Sequence, residues 1–588
     1  MSVTHHHAGS PGSRYSIGVD IGGTFTDCAV LAADGTIVGA KAPTTPHDRS
    51  VGFFASIETA ASKIGISVGD LFARCDRLVH GTTTGTNAIV ARDGARTGLI
   101  TTAGHGDIMF LMNAGGRTAG LSPDEFLDVA ATDKPEPLVP KTMIVEVKER
   151  VDVDGDVITP LDRGEARRAV EYLVGEQGVQ ALAISFLWSF KNQVHEHAVR
   201  RIVEEVAPGT FVTCASDLVA QRGEYQRTTT AVMNAYIGPL MTRYIESIEE
   251  GARQRGFDGR VLFAQCAGGA ITGEEAKIAP LRTVHSGPVA GIVSSQLLAE
   301  QIGLDNALLT DMGGTTFDVS VIRDGVPLRR KTSNFQRYEV ALPMLDVESV
   351  GAGGGSIAWT DLSGRLNVGP RSAGAFPGPA CYGLGGTEPT VTDADVVLGV
   401  LDPATFLEGR MKIDPALSQQ AVASVGSRLG LGLYETAAGI NRIVDAKMAD
   451  LIRRMSVMRG LDPRRFVLFA FGGGGPVHAT AAAREVGIAK VVVPLPFVAA
   501  VWSALGAAVS DVTHVYQELH PLRLPVSADE VNGVFDRLQG QALQTFESEG
   551  LGSLQLKISR SLRMKYAMQV HDVELPMAAG TLTDQAAL

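Results

Sequence analysis

The stretch Gly18-Val19-Asp20-Ile21-Gly22-Gly23-Thr24-Phe25-Thr26-Asp27 decides how this chain is read, because it occurs twice. The second copy is Leu309-Thr310-Asp311-Met312-Gly313-Gly314-Thr315-Thr316-Phe317-Asp318, and the Asp, Gly, Gly, Thr and closing Asp align without a gap. Each copy follows an apolar strand and runs into another, over 28–31 and 319–322. Each then reaches an Asp-Gly pair, Asp34-Gly35 and Asp324-Gly325, which favours a hairpin. Two copies this far apart do not make a solenoid, whose period is a few tens of residues. They predict two similar α/β lobes, each offering one Gly-rich hairpin to a shared cleft.

The residue types in the repeat suit a phosphate. A Gly-Gly turn leaves backbone N–H groups uncovered, so an anion can approach closely at Gly22, Gly23, Gly313 and Gly314. The hydroxyls of Thr24, Thr26, Thr315 and Thr316 add donors. Asp20 and Asp311 end their strands, where a carboxylate holds Mg²⁺ directly or through water. Asp27 or Asp318 is left to orient an attacking oxygen or a water on the metal. A third Gly-rich turn, Gly472-Gly473-Gly474-Gly475-Pro476, follows the buried strand expected over 466–470 and precedes a helix. It suits a nucleoside, or a phosphate at a helix N-terminus. Neither G-x-x-x-x-G-K-[ST] nor G-x-G-x-x-G occurs.

Composition narrows the rest. The chain has 588 residues, 20% charged and 45% hydrophobic, which excludes a disordered, collagen-like or disulfide-scaffold protein. Its formal net charge of −12 makes it a poor candidate for non-specific nucleic-acid binding, which needs basic stripes. Five cysteines without a CxxC pair point to a reducing, cytoplasmic setting without a zinc knot. Residues 491–510 carry no charge, but Pro494, Pro496 and Gly506 argue against a membrane span. They read as a buried strand and then a buried helix from about Val498. Elsewhere, apolar strands such as 181–186 alternate with helical spacing over 166–176, 195–206 and 435–458, the pattern of an α/β fold. Residues 1–13, with His5-His6-His7, read as a disordered leader.

The order of two Asp-x-Gly-Gly-Thr hairpins and a late Gly-Gly-Gly-Gly-Pro turn resembles the actin/Hsp70/sugar-kinase superfamily of ATPases. More narrowly the chain resembles the hydantoinase A/oxoprolinase family over about 15–511. The motifs that carry this are 18–27, His80-Gly81-Thr82-Thr83-Thr84-Gly85-Thr86-Asn87-Ala88, 310–319, 471–479 and Ser503-Ala504-Leu505-Gly506. The resemblance implies a two-lobed actin-like (ribonuclease H-like) fold that binds ATP and Mg²⁺. Its expected parts are an N-terminal lobe over 14–207, a hydantoinase A lobe over 208–510 and a C-terminal region over 511–588 that is shorter than usual. It implies phosphorylation of a carbonyl or lactam oxygen of a cyclic amide, together with a hydantoinase B-type second subunit. The expected assembly is a hetero-oligomer or homodimer, with the segments 491–510 and 374–383 as interface material. The alternative is the nucleotide-binding subunit of an acetone/acetophenone-type carboxylase. An actin-like nucleotide switch is the non-enzymatic one.

Other residues carry open readings. Thr83 and its neighbours face the γ-phosphate or the substrate carbonyl, or else form a polar loop capping a helix near Asn87. His80 is either a general acid or base near neutral pH or a packed histidine. Thr392, Asp393 and Asp395 are candidates for the substrate side of the cleft. His105, Asp107, His285 and His478 have no motif that orders them as a metal set, and His195-Glu196-His197 reads as a solvated helix face. One or two of Arg453, Arg454, Arg459, Arg464 and Arg465 border the nucleotide if they are not simply a solvated helix end.

Overall fold

The structure, a computed structural model, describes residues 2–583 apart from 6–14, 46–47, 113–117, 119–120, 122–125, 129–131, 331, 410, 495, 553–555, 567, 570–571 and 578–579. Two six-stranded sheets hold the repeated hairpins. In the first, strands β1 (Tyr15–Ile21), β2 (Phe25–Ala32) and β3 (Ile37–Pro43) form an antiparallel meander. Strand β4 (Cys75–Thr82) lies parallel to β1 on its other side. Strands β5 (Val261–Ala264) and β6 (Ala270–Thr272) extend the sheet beyond β4, giving the order β6-β5-β4-β1-β2-β3.

The second sheet repeats this plan. Strands β7 (Ala307–Met312) and β8 (Phe317–Arg323) form the hairpin, and both the short strand Val326–Pro327 and β9 (Val347–Val350) pair antiparallel to β8. Strands β10 (Val467–Phe471) and β11 (Val491–Val492) run parallel on the other side of β7. A meander followed by parallel strands, present twice, is the two-lobed actin-like architecture. The Asp324-Gly325 turn after β8 has positive φ at both residues, 51° and 75°, as a type I′ hairpin turn requires.

Why these segments become strands is plain from their residues. Ile17, Val19 and Ile21 of β1 and Leu308 and Met312 of β7 are fully buried, so their β-branched and long side chains fill the core between sheet and helices. The first lobe adds a parallel sheet through Thr97–Thr102 and Ala181–Ser185. It also holds two helices that matter below: α1 (Thr84–Ala91), and the long α2 (Glu224–Gln254), which contributes Ala231, Met233, Ile237 and Ile245 to its core.

The division between lobes differs from the expectation of 207/208. Helix α2, β5 and β6 all belong to the first lobe, because β5 needs β4 as its hydrogen-bonding neighbour. The chain crosses through helix α3 (Ser286–Gln301). It returns after the second-lobe helices α4 (Val391–Val397), α5 (Leu433–Met455) and α6 (Gly475–Val486), through helix α7 (Trp502–Ala508). Every residue of α7 is buried. The backbones of α3 and α7 approach so closely that a Cβ on Gly506 would overlap the Ala290 carbonyl, and a Cβ on Gly18 of β1 would overlap that of Ala504. Residues 501–508 are therefore interlobe core rather than interface surface, while Val493 and Phe497 earlier in the uncharged segment are exposed.

The ends depart from expectation too. Ser2–His5, placed by the sequence in a disordered leader, pairs instead as a strand between Thr513–Val515 and Leu556–Met564. The segment fills the gap between those two strands and hydrogen-bonds antiparallel to both. His6 and His7 lie outside the described residues. Among the described residues no helix is long and apolar enough to cross a membrane.

Candidate functional site

Directly opposed residues of an antiparallel pair project from the same face. In β1–β2 Asp20 stands opposite Asp27, and in β7–β8 Asp311 stands opposite Asp318. Each hairpin thus sets two carboxylates side by side. Both turns close alike: the Gly22 N–H donates to the Phe25 carbonyl and the Gly313 N–H to the Thr316 carbonyl, each at 3.0 Å. Those two N–H groups are used inside the turns. The tips face each other reciprocally. A Cβ on Gly314 would lie 2.8 Å from Thr24 Oγ1, and one on Gly23 would lie 3.8 Å from Thr315 Cγ2.

All four carboxylates are half-buried, and burial raises the pKa of each, with neighbouring carboxylates adding to the rise at Asp20 and Asp311. Burial, then Asp318, Asp20 and Asp27, push Asp311 up to about 8, against a weak hydrogen bond from Ser503 Oγ on α7 at 3.4 Å. Burial and Asp27 push Asp20 up to about 7, with Lys41 opposing. Burial pushes Asp318 up to about 6. Asp27 is also raised by burial, although Lys41 Nζ donates to it at 2.6 Å. The sequence reading missed Lys41, yet counting back from the Asp34-Gly35 turn sets it directly opposite Asp27. The first hairpin has this cation; the second has hydroxyl partners.

One oxygen stands out. Asp20 Oδ1 is buried and has no hydrogen-bond partner. The backbones around it are held close: a Cβ on Gly81 would come within 2.6 Å of it, and one on Gly287 within 2.8 Å. A buried carboxylate oxygen in this state calls for a cation. Among the described residues no group of three or more His, Cys, Asp or Glu is near enough to hold a metal by itself. Two carboxylate pairs across a crevice fit Mg²⁺, which keeps several waters and binds through one or two carboxylates plus phosphate oxygens.

Three helix N-termini surround the hairpins, none with a side-chain cap: α1 after Thr83, α3 after His285 and α6 after Gly474. Uncapped N–H groups favour an anion. Gly472 is in the left-handed region at φ 80°, and a Cβ there would overlap Asp311 Oδ1. Gly473 faces open space, Gly474 donates to the Met312 carbonyl at 2.9 Å, and Gly475 opens α6. The Thr-rich loop is tied in as well. Thr83 Oγ1 donates to the Ile21 carbonyl at 3.2 Å, and Ser286 Oγ accepts from the Thr82 N–H at 2.8 Å.

Several sequence expectations are corrected here. His80 is fully buried against Phe53 and Phe263, with Nε2 2.7 Å from Tyr244 Oη. Burial lowers its pKa to about 3, so the imidazole stays neutral and does not take up a second proton near neutrality. Thr26 is also fully buried, sharing a 3.2 Å hydrogen bond with Thr44 Oγ1, because strand alternation turns it away from Asp27 and into the core. Asp393 caps α4 and accepts from the Ala380 and Cys381 N–H groups, which leaves nothing for a substrate. Thr392 and Asp395 are buried with protein partners. His195 and Glu196 are buried rather than solvated, His195 paired with Glu149. Arg453, Arg454, Arg459 and Arg464 are engaged with Glu485, Asp450, Glu348 and Asp462.

Comparison with known proteins agrees with this geometry. Residues 16–207 match the hydantoinase/oxoprolinase N-terminal region and residues 227–516 the hydantoinase/oxoprolinase family model. The acetophenone carboxylase gamma subunit of Aromatoleum aromaticum is 39% identical over 573 residues, 95% of this chain and 77% of that one. The caprolactamase subunit alpha of Pseudomonas jessenii is 36% identical over 574 residues, 97% of this chain and 81% of that one. The crystal structure of the ATP-dependent caprolactamase from Pseudomonas jessenii superposes with a TM-score of 0.82 at 34% identity, covering 97% of this chain and 82% of that one. The nucleotide-free structure of an acetone carboxylase, described for ATP-dependent acetone carboxylation, gives 0.82 at 29%, covering 98% and 82%. The chain belongs to the hydantoinase/oxoprolinase family, whose members include ATP-dependent amide hydrolases and subunits of carboxylases.

Proposed function

We propose that this member of the hydantoinase/oxoprolinase family is an ATP-dependent subunit that phosphorylates a carbonyl or lactam oxygen of a cyclic amide, a hydantoin, 5-oxoproline or a lactam. Water then adds to the phosphorylated carbon, the ring C–N bond breaks with the nitrogen taking a proton, and phosphate leaves, with a hydantoinase B-type second subunit. One observation carries the reading: two equivalent aspartate hairpins face each other tip to tip, beside the uncapped N-terminus of α6.

In this reading the bond from the γ-phosphorus to the bridging oxygen breaks and a bond from that phosphorus to the substrate oxygen forms. Such a transfer depends on positioning and charge stabilisation. Free N–H groups and hydroxyls around Gly23, Thr24, Gly314, Thr315, Thr316 and Gly473 hold the β- and γ-phosphates. Asp20 and Asp311 take Mg²⁺, which neutralises phosphate charge when bound. Asp318 orients the attacking oxygen, since Asp27 is engaged by Lys41. Lys41 faces the transferred group from the first hairpin and stabilises its charge. Thr83, tied to the Ile21 carbonyl, borders the same space from the first lobe.

The carboxylase reading has its own support in the 39% identity to a carboxylase gamma subunit. There the phosphorylated oxygen belongs to a ketone enolate. Both readings need a partner, and the related caprolactamase and carboxylase chains are named as subunits. The five free cysteines support a reducing, cytoplasmic setting. The test is ADP release by the chain, with and without its co-expressed partner, on a panel of lactams, hydantoins and 5-oxoproline against ketones with bicarbonate. Cyclic-amide-dependent turnover supports the first reading and ketone-plus-bicarbonate turnover the second. Filament formation with ATP use independent of every substrate in the panel overturns both.

A further inference from the structure

The second lobe contains a buried charged cluster one layer behind the crevice. His478 lies in the first turn of α6 and is 2% exposed. Its Nδ1 is 2.8 Å from Asp445 Oδ1 on α5, and its Nε2 is 3.5 Å from Asp395 Oδ2 on α4. Asp395 also accepts from Asn441 Nδ2 on α5 at 2.7 Å. Burial opposes charge on the imidazole, but the carboxylates of Asp395 and Asp445 outweigh it and hold the pKa up at about 9. Near neutrality both ring nitrogens carry protons: Nδ1 donates to Asp445, while Nε2 meets Asp395 as a 3.5 Å ion pair without a hydrogen bond.

Helix α4 is tied in turn to the second hairpin. The Thr392 N–H and Oγ1 both donate to the Gly354 carbonyl, at 2.8 and 2.9 Å. The Gly354 N–H donates to the Gly313 carbonyl at 3.0 Å and the Gly355 N–H to that of Gly314 at 2.6 Å. From the other side the Gly474 N–H, at the start of α6, donates to the Met312 carbonyl at 2.9 Å. These bonds close a ring: hairpin turn, Gly354, α4, His478, α6, and back to the hairpin.

We infer that His478 is a positioning residue for the nucleotide: by bridging Asp395 and Asp445 it locks α4 to α6, and so fixes where the N-terminus of α6 stands relative to the turn at Gly313 and Gly314. The inference rests on reading the crevice as a nucleotide site. The chemistry suits registry better than stability. A buried ion cluster is a weak stabiliser compared with apolar packing of the same volume. Its Nδ1 hydrogen bond to Asp445 and its ion pair with Asp395, held from two sides of the ring, however, fix the rotation of α6 about its own axis, and with it the aim of the N–H groups. A residue packed only by dispersion fixes that rotation poorly.

The experiment measures MgATP affinity and the melting temperature of the nucleotide-free full chain for the wild type, His478→Gln, Thr392→Val and the double variant. His478→Gln should weaken MgATP binding about tenfold and Thr392→Val, which removes the Oγ1 bond to Gly354 but keeps the N–H bond, about threefold, with the double variant losing less than the product of the two because both loosen one ring. A merely structural His478 predicts a lower melting temperature with affinity per folded molecule unchanged, and that result overturns the inference. Additive losses in the double variant overturn it too, since they make the two residues independent. If His478→Gln does not fold, Thr392→Val carries the test alone, and wild-type affinity there overturns the ring. Absence of MgATP binding by the wild type refutes the nucleotide reading itself. Binding by the wild type with equal binding by the variants refutes only the role of His478.

Discussion

Replacing Asp311 with Asn should make the nucleotide-free protein more stable above neutral pH while removing its turnover. Asp311 titrates near 3.8 when unfolded, and in the folded chain burial, Asp318, Asp20 and Asp27 push it up to about 8. Between these values the unfolded chain has released a proton that the folded chain still holds. The unfolded state then binds fewer protons, so stability falls as pH rises from about 4 to about 8 and is level beyond. Moving a titration that far sets a ceiling of ~6 kcal/mol, at ~1.4 kcal/mol per tenfold. Water reaching the half-open crevice reduces this to about 1–2 kcal/mol, or a few degrees in Tm for a chain of this size. Asn keeps the shape and carries no charge. Its Tm should therefore match the wild type near pH 4, exceed it progressively through neutrality, and level off near pH 8. Mg²⁺ or MgATP should raise the wild-type Tm and leave that of Asp311→Asn nearly unmoved. ATP turnover in the variant should drop on the order of 10²-fold or more. Scanning calorimetry from pH 4 to 9, with an ADP-release assay on the same samples, checks all three. A pH-independent Tm difference, or near-normal turnover in the variant, refutes the reasoning that this carboxylate strains the free fold in order to hold a cation.

Three further outcomes follow from other residues. Lys41→Met removes the cation opposite Asp27, and ADP release under saturating MgATP should fall on the order of 10²-fold with the fold intact by circular dichroism; unchanged turnover would mean that Lys41 only holds the hairpin. His80→Gln should leave the pH–rate profile unaltered between pH 6 and 9, because burial keeps the imidazole neutral; loss of a profile limb in that range would restore His80 as a proton carrier. Gly506→Ala forces a Cβ into the Ala290 carbonyl where α3 and α7 cross, and denaturant unfolding should show a loss of about 1–3 kcal/mol; a neutral effect would contradict the close crossing.

What the amino-acid sequence determined by itself was local and repeated. The pairing of Asp20 with Asp27 and of Asp311 with Asp318 follows from strand alternation about a tight Gly-Gly turn, a rule that acts within ten residues. The uncapped start of α6 follows from a Gly-rich turn after a buried strand, and the place of Lys41 follows from the Asp34-Gly35 turn. Tertiary structure decided what depends on burial and on contacts between distant segments. His80 and Thr26 look available in sequence, yet Phe53, Phe263, Tyr244 and Thr44 close over them. Asp393 and Asp395 look like substrate-side carboxylates and become a helix cap and an ion-cluster member. The division of the lobes is tertiary for the same reason. Nothing near residue 207 tells a strand at Val261–Ala264 which sheet to join, and only the hydrogen-bonding edge of Cys75–Thr82, far back along the chain, selects it. Desolvation and edge pairing are sums over neighbours that the chain brings together only on folding. The carboxylates themselves are legible in the sequence, while the crevice that shifts them to about 6, 7 and 8 exists only once the two hairpins meet.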